Sequence, residues 1–388
     1  MPKPPSVSSL SVSGGTQVDS DASPPRPFRI LALDGGGIRG YYTAKLLAGL
    51  LRHFEQSTGR SNLDIGKGFD LISGTSTGGI LGCALAMGKR PDVIASLYRE
   101  KGAAIFPKKI PTFGFNFRSL NWALGHLNKP SAFKAVLASE LDQVLGSTTM
   151  GELWQTRRIA LTIPTVSVET YGPKVFKTPH LDRLTHDRAI KLTDVCLATA
   201  AAPLYFPLHG IGKKEGYYRD DLFVDGGLWA NNPSMVGLLE AIEILTETRQ
   251  DQRPIHIFSL GTCSGPVDQS HLRQNPRGGL VTWGAGKDVM ELSLATSANA
   301  MNFMAKLLAT AFSRNGQEII YGRIPDPEMT SQQQSCLGLD RADPEAFRIM
   351  DQLAATNEAR ILSSMGSPHD AIHQSFRELF QQLPVLAQ

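Results

Sequence analysis

The first sustained apolar run, Phe28-Arg29-Ile30-Leu31-Ala32-Leu33, is short and ends on a cluster of glycines, which predicts a buried strand. Past the glycines the period changes. Leu47, Leu50, Leu51 and Phe54 fall at i, i+3, i+4 and i+7, the spacing of one helix face, and Gly59 is placed to end that helix. A second strand is expected at Phe69-Asp70-Leu71-Ile72-Ser73, running through Gly74-Thr75-Ser76-Thr77-Gly78 into an apolar helix from Gly79 to about Ala86. Further short strands are predicted at Ile159–Val168, Leu222–Val224 and Ile255–Leu260. Strands alternating with helices indicate an α/β layered fold around a mostly parallel sheet. No internal repeat is visible.

Three stretches break this pattern. Met1 to Pro27 is rich in Ser, Pro and Gly with hardly any large apolar side chain, the composition of a disordered tail. It lacks the apolar run of a secretory signal, so a cytoplasmic protein is expected. The stretch Ala104–Gly125 mixes Phe106, Phe113, Phe115, Phe117 and Trp122 with Lys108, Lys109 and Arg118, interrupted by Pro and Gly. It reads either as an irregular loop packed on the core or as a lid or membrane-contact loop, since aromatic and basic side chains suit a lipid headgroup boundary. Beyond Gly265 the glycine punctuation fades, and helices are expected from Asp288 to Phe312 and from Pro344 to Leu362. The chain thus divides into a tail (1–27), a core (28–265) and a mainly helical portion (266–388) packed on that core and suited to a regulatory role.

Composition narrows the function classes. In 388 residues, 41% hydrophobic and 19% charged side chains describe an ordinary globular enzyme. A formal net charge of +3 is too mild for a nucleic-acid polymer partner, yet does not repel an anionic membrane. Cys83, Cys196, Cys263 and Cys336 are far apart and form no C-x-x-C pair, which argues against a disulfide framework or a zinc site. No segment is long and apolar enough to span a bilayer.

Three glycine-flanked segments carry candidate chemistry. Gly74-Thr75-Ser76-Thr77-Gly78 is G-x-S-x-G at a strand-to-helix turn, the context of a nucleophile elbow that lifts Ser76 out of the sheet edge. A purely structural turn is its plain alternative. Asp34-Gly35-Gly36-Gly37-Ile38-Arg39-Gly40 contains G-x-G-x-x-G after a strand, so a nucleotide-cofactor-binding oxidoreductase has to be weighed. Glu55, at about the spacing of a ribose-binding acid, falls inside the predicted helix instead. The other reading is an oxyanion hole, with backbone N–H groups at Gly36 and Gly37 converging on a tetrahedral intermediate. Asp225-Gly226-Gly227 follows the apolar run Leu222-Phe223-Val224; it is a common turn sequence, but a carboxylate there can accept a serine proton directly. His256 and His271 are the rival bases in a Ser…Asp…His order, His256 inside an apolar run and His271 in a polar stretch.

These blocks, with Ala198-Thr199-Ala200-Ala201-Ala202-Pro203-Leu204-Tyr205-Phe206-Pro207 between the second and third, resemble the signature segments of the patatin-like phospholipases over roughly residues 28–265. The resemblance implies a patatin-like three-layer fold and a Ser–Asp dyad, Ser76 with Asp225, without histidine. It also places oxyanion donors at Gly36 and Gly37 and the motif's basic residue at Arg39, with Gly35, Gly40, Gly74, Gly78, Gly226 and Gly227 in support. No metal or organic cofactor is required. The layout, with Leu97-Tyr98 and Ile105-Phe106-Pro107 after the elbow and then a helical tail, resembles the bacterial cytosolic patatins, some of which break down membrane phospholipid in antiphage defence when a cyclic dinucleotide such as cyclic GMP–AMP is made. That likeness implies peripheral contact with the inner face of the cell membrane and a functional link to a cyclic-nucleotide synthase, and it admits a homo-oligomer. No nucleotide-binding residues can be assigned. A constitutive lipid-acyl hydrolase is the ungated alternative.

Overall fold

The computed structural model describes residues 26–106, 130–212, 221–250, 252–264, 283, 287–367 and 370–386. The tail up to residue 25, His271 and most of the stretch Ala104–Gly125 lie outside the described residues. The strands are β1 (Phe28–Leu33), β2 (Leu71–Gly74), β3 (Ala160–Ser167), β4 (Gly172–Lys177), β5 (His209–Ile211), β6 (Asp221–Asp225), β7 (Ile255–Leu260) and β8 (Ile319–Ile324). The helices are α1 (Gly40–Thr58), α2 (Thr77–Ala86), α3 (Pro91–Ile105), α4 (Pro130–Leu145), α5 (Met150–Arg157), α6 (Leu192–Thr199), α7 (Gly227–Ala230), α8 (Ser234–Glu247), α9 (Lys287–Arg314), α10 (Ser331–Ser335), α11 (Pro344–Ser364) and α12 (Ala371–Gln382).

One sheet organises these elements in the order β5-β6-β3-β2-β1-β7-β8, with β4 on the other edge of β3. Strands β3, β2, β1, β7 and β8 run parallel, while β4, β6 and β5 are antiparallel additions. Successive side chains of a strand point to opposite faces, so a sheet covered on both sides needs apolar residues at nearly every position. Strand β1 meets that need. Phe28 and Ile30 join Leu71, Ile257, Leu238 and Ala309 on one face. Leu31 and Leu33 join Ile72, Phe258, Leu47 and Leu81 on the other. The result is an α/β/α sandwich with α8 and α9 on the first face and α1 and α2 on the second. Helix α1 ends as its sequence predicts, at Gly59 in the left-handed region (φ 65).

The sheet also decides which strand ends meet. Strand β2 pairs with the first part of β3, Ser73 opposite Thr162, and then turns away. Strand β6 takes up the same edge of β3 further on, Asp225 opposite Thr165. Strand β4 occupies the opposite edge along that whole length, from Thr162 to Ser167. Because β2 is parallel and β6 antiparallel to β3, their C-terminal ends point at each other. Residues just past β2 and at the end of β6 are thereby brought together.

Candidate active site

Ser76 sits at the first of those ends, as the residue before α2, with φ 54 and ψ −123. A non-glycine residue in that region is strained, a cost that the surroundings must hold in place. The glycines around it make the turn feasible. A Cβ on Gly74 would lie 2.4 Å from the Gly78 carbonyl oxygen, and one on Gly78 would lie 2.2 Å from that of Leu33. Side chains then lock the bend. The Ser76 N–H donates to Thr199 Oγ1 at 3.0 Å, and that hydroxyl donates onward to the Pro164 carbonyl at 2.6 Å. Thr75 Oγ1 donates to the Ala230 carbonyl at 2.6 Å.

Asp225 occupies the other end. Ser76 Oγ donates to Asp225 Oδ2 at 2.7 Å, and the Gly227 N–H donates to Oδ1 at the same distance. Both side chains are buried. Burial pushes the Asp225 carboxyl up to about 6, although the hydrogen bonds from Ser76 and Gly227 favour its ionised form. Gly226 packs against the Pro164 carbonyl, where a side chain would not fit.

The glycine loop forms the third wall. Gly36 and Gly37 line the same cavity as Ser76 and Asp225. No hydrogen bond among the described residues uses their N–H groups, whereas the Gly35 N–H is taken by the Asn231 carbonyl at 2.9 Å. Gly37 has φ +58 and abuts the Leu339 carbonyl, so this bend admits only glycine comfortably. Arg39 Nε donates to the Gly36 carbonyl at 3.3 Å, bracing the loop from its far side, and Gly40 starts α1 against Thr77. Asp34, just before the loop, is held by both terminal nitrogens of Arg323, at 3.0 and 2.7 Å. Burial still raises the Asp34 carboxyl to about 6 against the pull of that guanidinium.

The cavity measures about 40 Å³, and apart from these groups its lining is mainly apolar, including Ile80, Phe206, Leu228, Met290 and Leu294. That is room for a few water molecules. Among the described residues no histidine lines it. His256 lies near the start of β7, four residues before the level of the elbow, hence about 13 Å away along the sheet. Its Nδ1 meets Ser375 Oγ at 2.5 Å, and burial lowers it to about 4. It is a core histidine. Glu55 lies inside α1 and pairs with Arg90 at 2.6 Å, so it is not displayed to a ribose. Among the described residues no group of His, Cys, Asp or Glu is arranged to hold a metal, and no helix is long and apolar enough to cross a membrane.

Sequence reasoning missed two supports of this site. Thr199 was visible as part of the 198–207 segment, but its bond to the Ser76 N–H was not. Arg323 had no signal at all, since it enters from β8, a strand not expected in the helical portion.

Comparison with known proteins identifies the family. The family model described as patatin-like phospholipase matches residues 31–237. A Vibrio cholerae protein named "cGAMP-activated phospholipase" is 35% identical over 69% of this chain and 74% of its own length. An Escherichia coli protein of the same name is 36% identical over 67% of this chain and 69% of its own length. "Patatin-like protein 1" of Oryza sativa subsp. indica is 29% identical over 80% of this chain and 77% of its own length.

Proposed function

This chain belongs to the patatin-like phospholipase family, and from that premise we propose that it cleaves fatty-acyl esters of membrane phospholipids through a Ser76–Asp225 dyad, and that a cyclic dinucleotide switches it on. The observation that carries the chemistry is the 2.7 Å hydrogen bond from Ser76 Oγ to Asp225 Oδ2 inside a buried, mainly apolar cavity. Asp225 accepts the serine proton as Oγ attacks the ester carbonyl. The negative charge that develops on the carbonyl oxygen falls to the N–H groups of Gly36 and Gly37, with the N-terminal end of α2 adding its positive dipole. Collapse of the tetrahedral species expels the lysolipid alkoxide, which takes the proton back from Asp225. Water, giving its proton to Asp225, then attacks the acyl-serine. The fatty acid leaves and Ser76 is restored.

Two facts support gating. The relatives from Vibrio cholerae and Escherichia coli carry activation by cGAMP in their names. The cavity of about 40 Å³ around the assembled dyad is narrow, which fits a resting state whose walls open further for a lipid ester. A ligand moves such an equilibrium only through its differential affinity for the open state, about 10⁴-fold for a nearly complete switch. On this reading the protein acts at the inner face of the cell membrane in antiphage defence, coupled to a cyclic-nucleotide synthase. The test is hydrolysis of phospholipid vesicles across a panel of cyclic di- and trinucleotides. Activity should be low without nucleotide and rise steeply with one member, cyclic GMP–AMP being the first candidate. Full activity in nucleotide-free protein, unchanged by every member, would leave a constitutive lipid-acyl hydrolase.

A further inference from the structure

Helix α9 has two apolar sides. Its inner side buries Met290, Ala305 and Ala309 against the protein. A surface helix ordinarily turns charged and polar residues outward. Here the outward positions include Val289 (51% exposed), Leu292 (41%), Phe303 (65%) and Leu307 (58%). At 100° per residue these four fall within about 60° of one another, two toward each end of a helix about 42 Å long, with the uncharged Thr296 and Ala300 between them on the same side. No charged residue occurs between Leu292 and Ala305, and Arg314 ends the helix in the same sector. Single exposed leucines need no explanation, but an uncharged stripe of this length does.

We propose that this outer stripe of α9 is the surface by which the protein docks on a phospholipid bilayer. The proposal rests on the lipid-hydrolase reading above, and continuity with the cavity selects a bilayer over a protein partner. Met290 and Leu294, on the inner side of the same helix, line the cavity that holds Ser76. The helix that meets the hydrocarbon boundary is therefore also a wall of the cavity that holds Ser76. The 200–208 loop repeats the arrangement. Tyr205 and Phe206 line the cavity, while Leu204 and Leu208 beside them are 48% and 42% exposed. A helix lying in the membrane plane binds in proportion to the apolar area it inserts, with cations meeting headgroup phosphates at its flanks, where Lys306 and Arg314 are exposed.

The test uses the full chain with Ser76→Ala, so that vesicles of phosphatidylethanolamine and phosphatidylglycerol survive the assay. Adding Phe303→Ser and Leu307→Ser should cut the protein recovered by vesicle flotation at least about tenfold, with and without cyclic GMP–AMP. In protein with Ser76 intact, the same pair should lower vesicle hydrolysis to a similar extent. Hydrolysis of the water-soluble ester p-nitrophenyl butyrate should stay within about twofold, because neither side chain lines the cavity. Phe303→Trp should keep binding and show a blue-shifted emission when vesicles are added. Unchanged flotation of the double variant, or no emission shift, would overturn the proposal. So would loss of self-association with vesicle binding intact, which would assign the stripe to a second copy of this chain. If the unsubstituted protein floats but cleaves neither vesicles nor the soluble ester, the docking surface stands and the hydrolase reading fails.

Discussion

Replacing the buried carboxylate by its neutral isostere, Asp225→Asn, should destroy activity and make the protein more stable at neutral pH. Burial raises the Asp225 carboxyl to about 6 from an ordinary 3.8. The folded state therefore binds this proton more tightly than the unfolded chain does. Ionised Asp225 opposes folding at every pH above about 6; the penalty shrinks as pH falls between 6 and 3.8 and is gone below. At about 1.4 kcal/mol per pH unit, the gap is worth about 3 kcal/mol at pH 7, an order-of-magnitude figure for a group so buried. Asparagine fits the same space, keeps an acceptor for the Gly227 N–H, and carries no charge to desolvate. Urea unfolding of both proteins at pH 7 should show the variant ahead by up to about 3 kcal/mol, and the difference should fade by about pH 4. Ester hydrolysis should fall by about 10²–10⁴-fold, the usual contribution of a positioned base. The wild-type rate should drop as pH falls below about 6, because only the ionised carboxylate accepts the serine proton. A variant no more stable than wild type at pH 7, or a difference that does not depend on pH, would refute the desolvation argument. Retained hydrolysis would refute the dyad.

The other expectations are more direct. Ser76→Ala should abolish hydrolysis and fluorophosphonate labelling while the thermal transition survives, since the hydroxyl fills little core volume; full labelling of this variant would remove Ser76 as the nucleophile. His256→Gln should keep hydrolysis within about tenfold of wild type, because the imidazole meets Ser375 and not the cavity; a loss comparable with that at Asp225, in folded protein, would restore a histidine triad. Arg323→Met strips Asp34 of its bidentate partner and leaves a buried carboxylate exposed to the full desolvation penalty, so unfolding should be easier by about 3–5 kcal/mol. Arg323→Lys should recover part of that loss, and equal stability of the Met variant would show that the pair does not anchor the glycine loop.

What was legible in the sequence follows from what kind of interaction each feature depends on. The strands around residues 28–33, 71–74 and 255–260 announced themselves because a sheet covered on both faces requires unbroken apolar runs, and the glycines that follow them mark turns where side chains do not fit. Helices α9 and α11 were expected within two residues of their observed ends, Lys287–Arg314 and Pro344–Ser364. Strand β8 was missed because its Ile319-Ile320-Tyr321-Gly322-Arg323-Ile324 run lies in a polar, helix-rich neighbourhood and becomes a strand by pairing with β7, a contact with no local signature. The same reasoning applies to the site. Ser76 and Asp225 could be nominated separately from their turns, but their meeting depends on β3, whose one edge is shared head to head by the ends of β2 and β6. Long-range register of that kind is written in no single segment. Nor is Arg323, whose value to the glycine loop exists only because β8 closes the sheet beside Asp34.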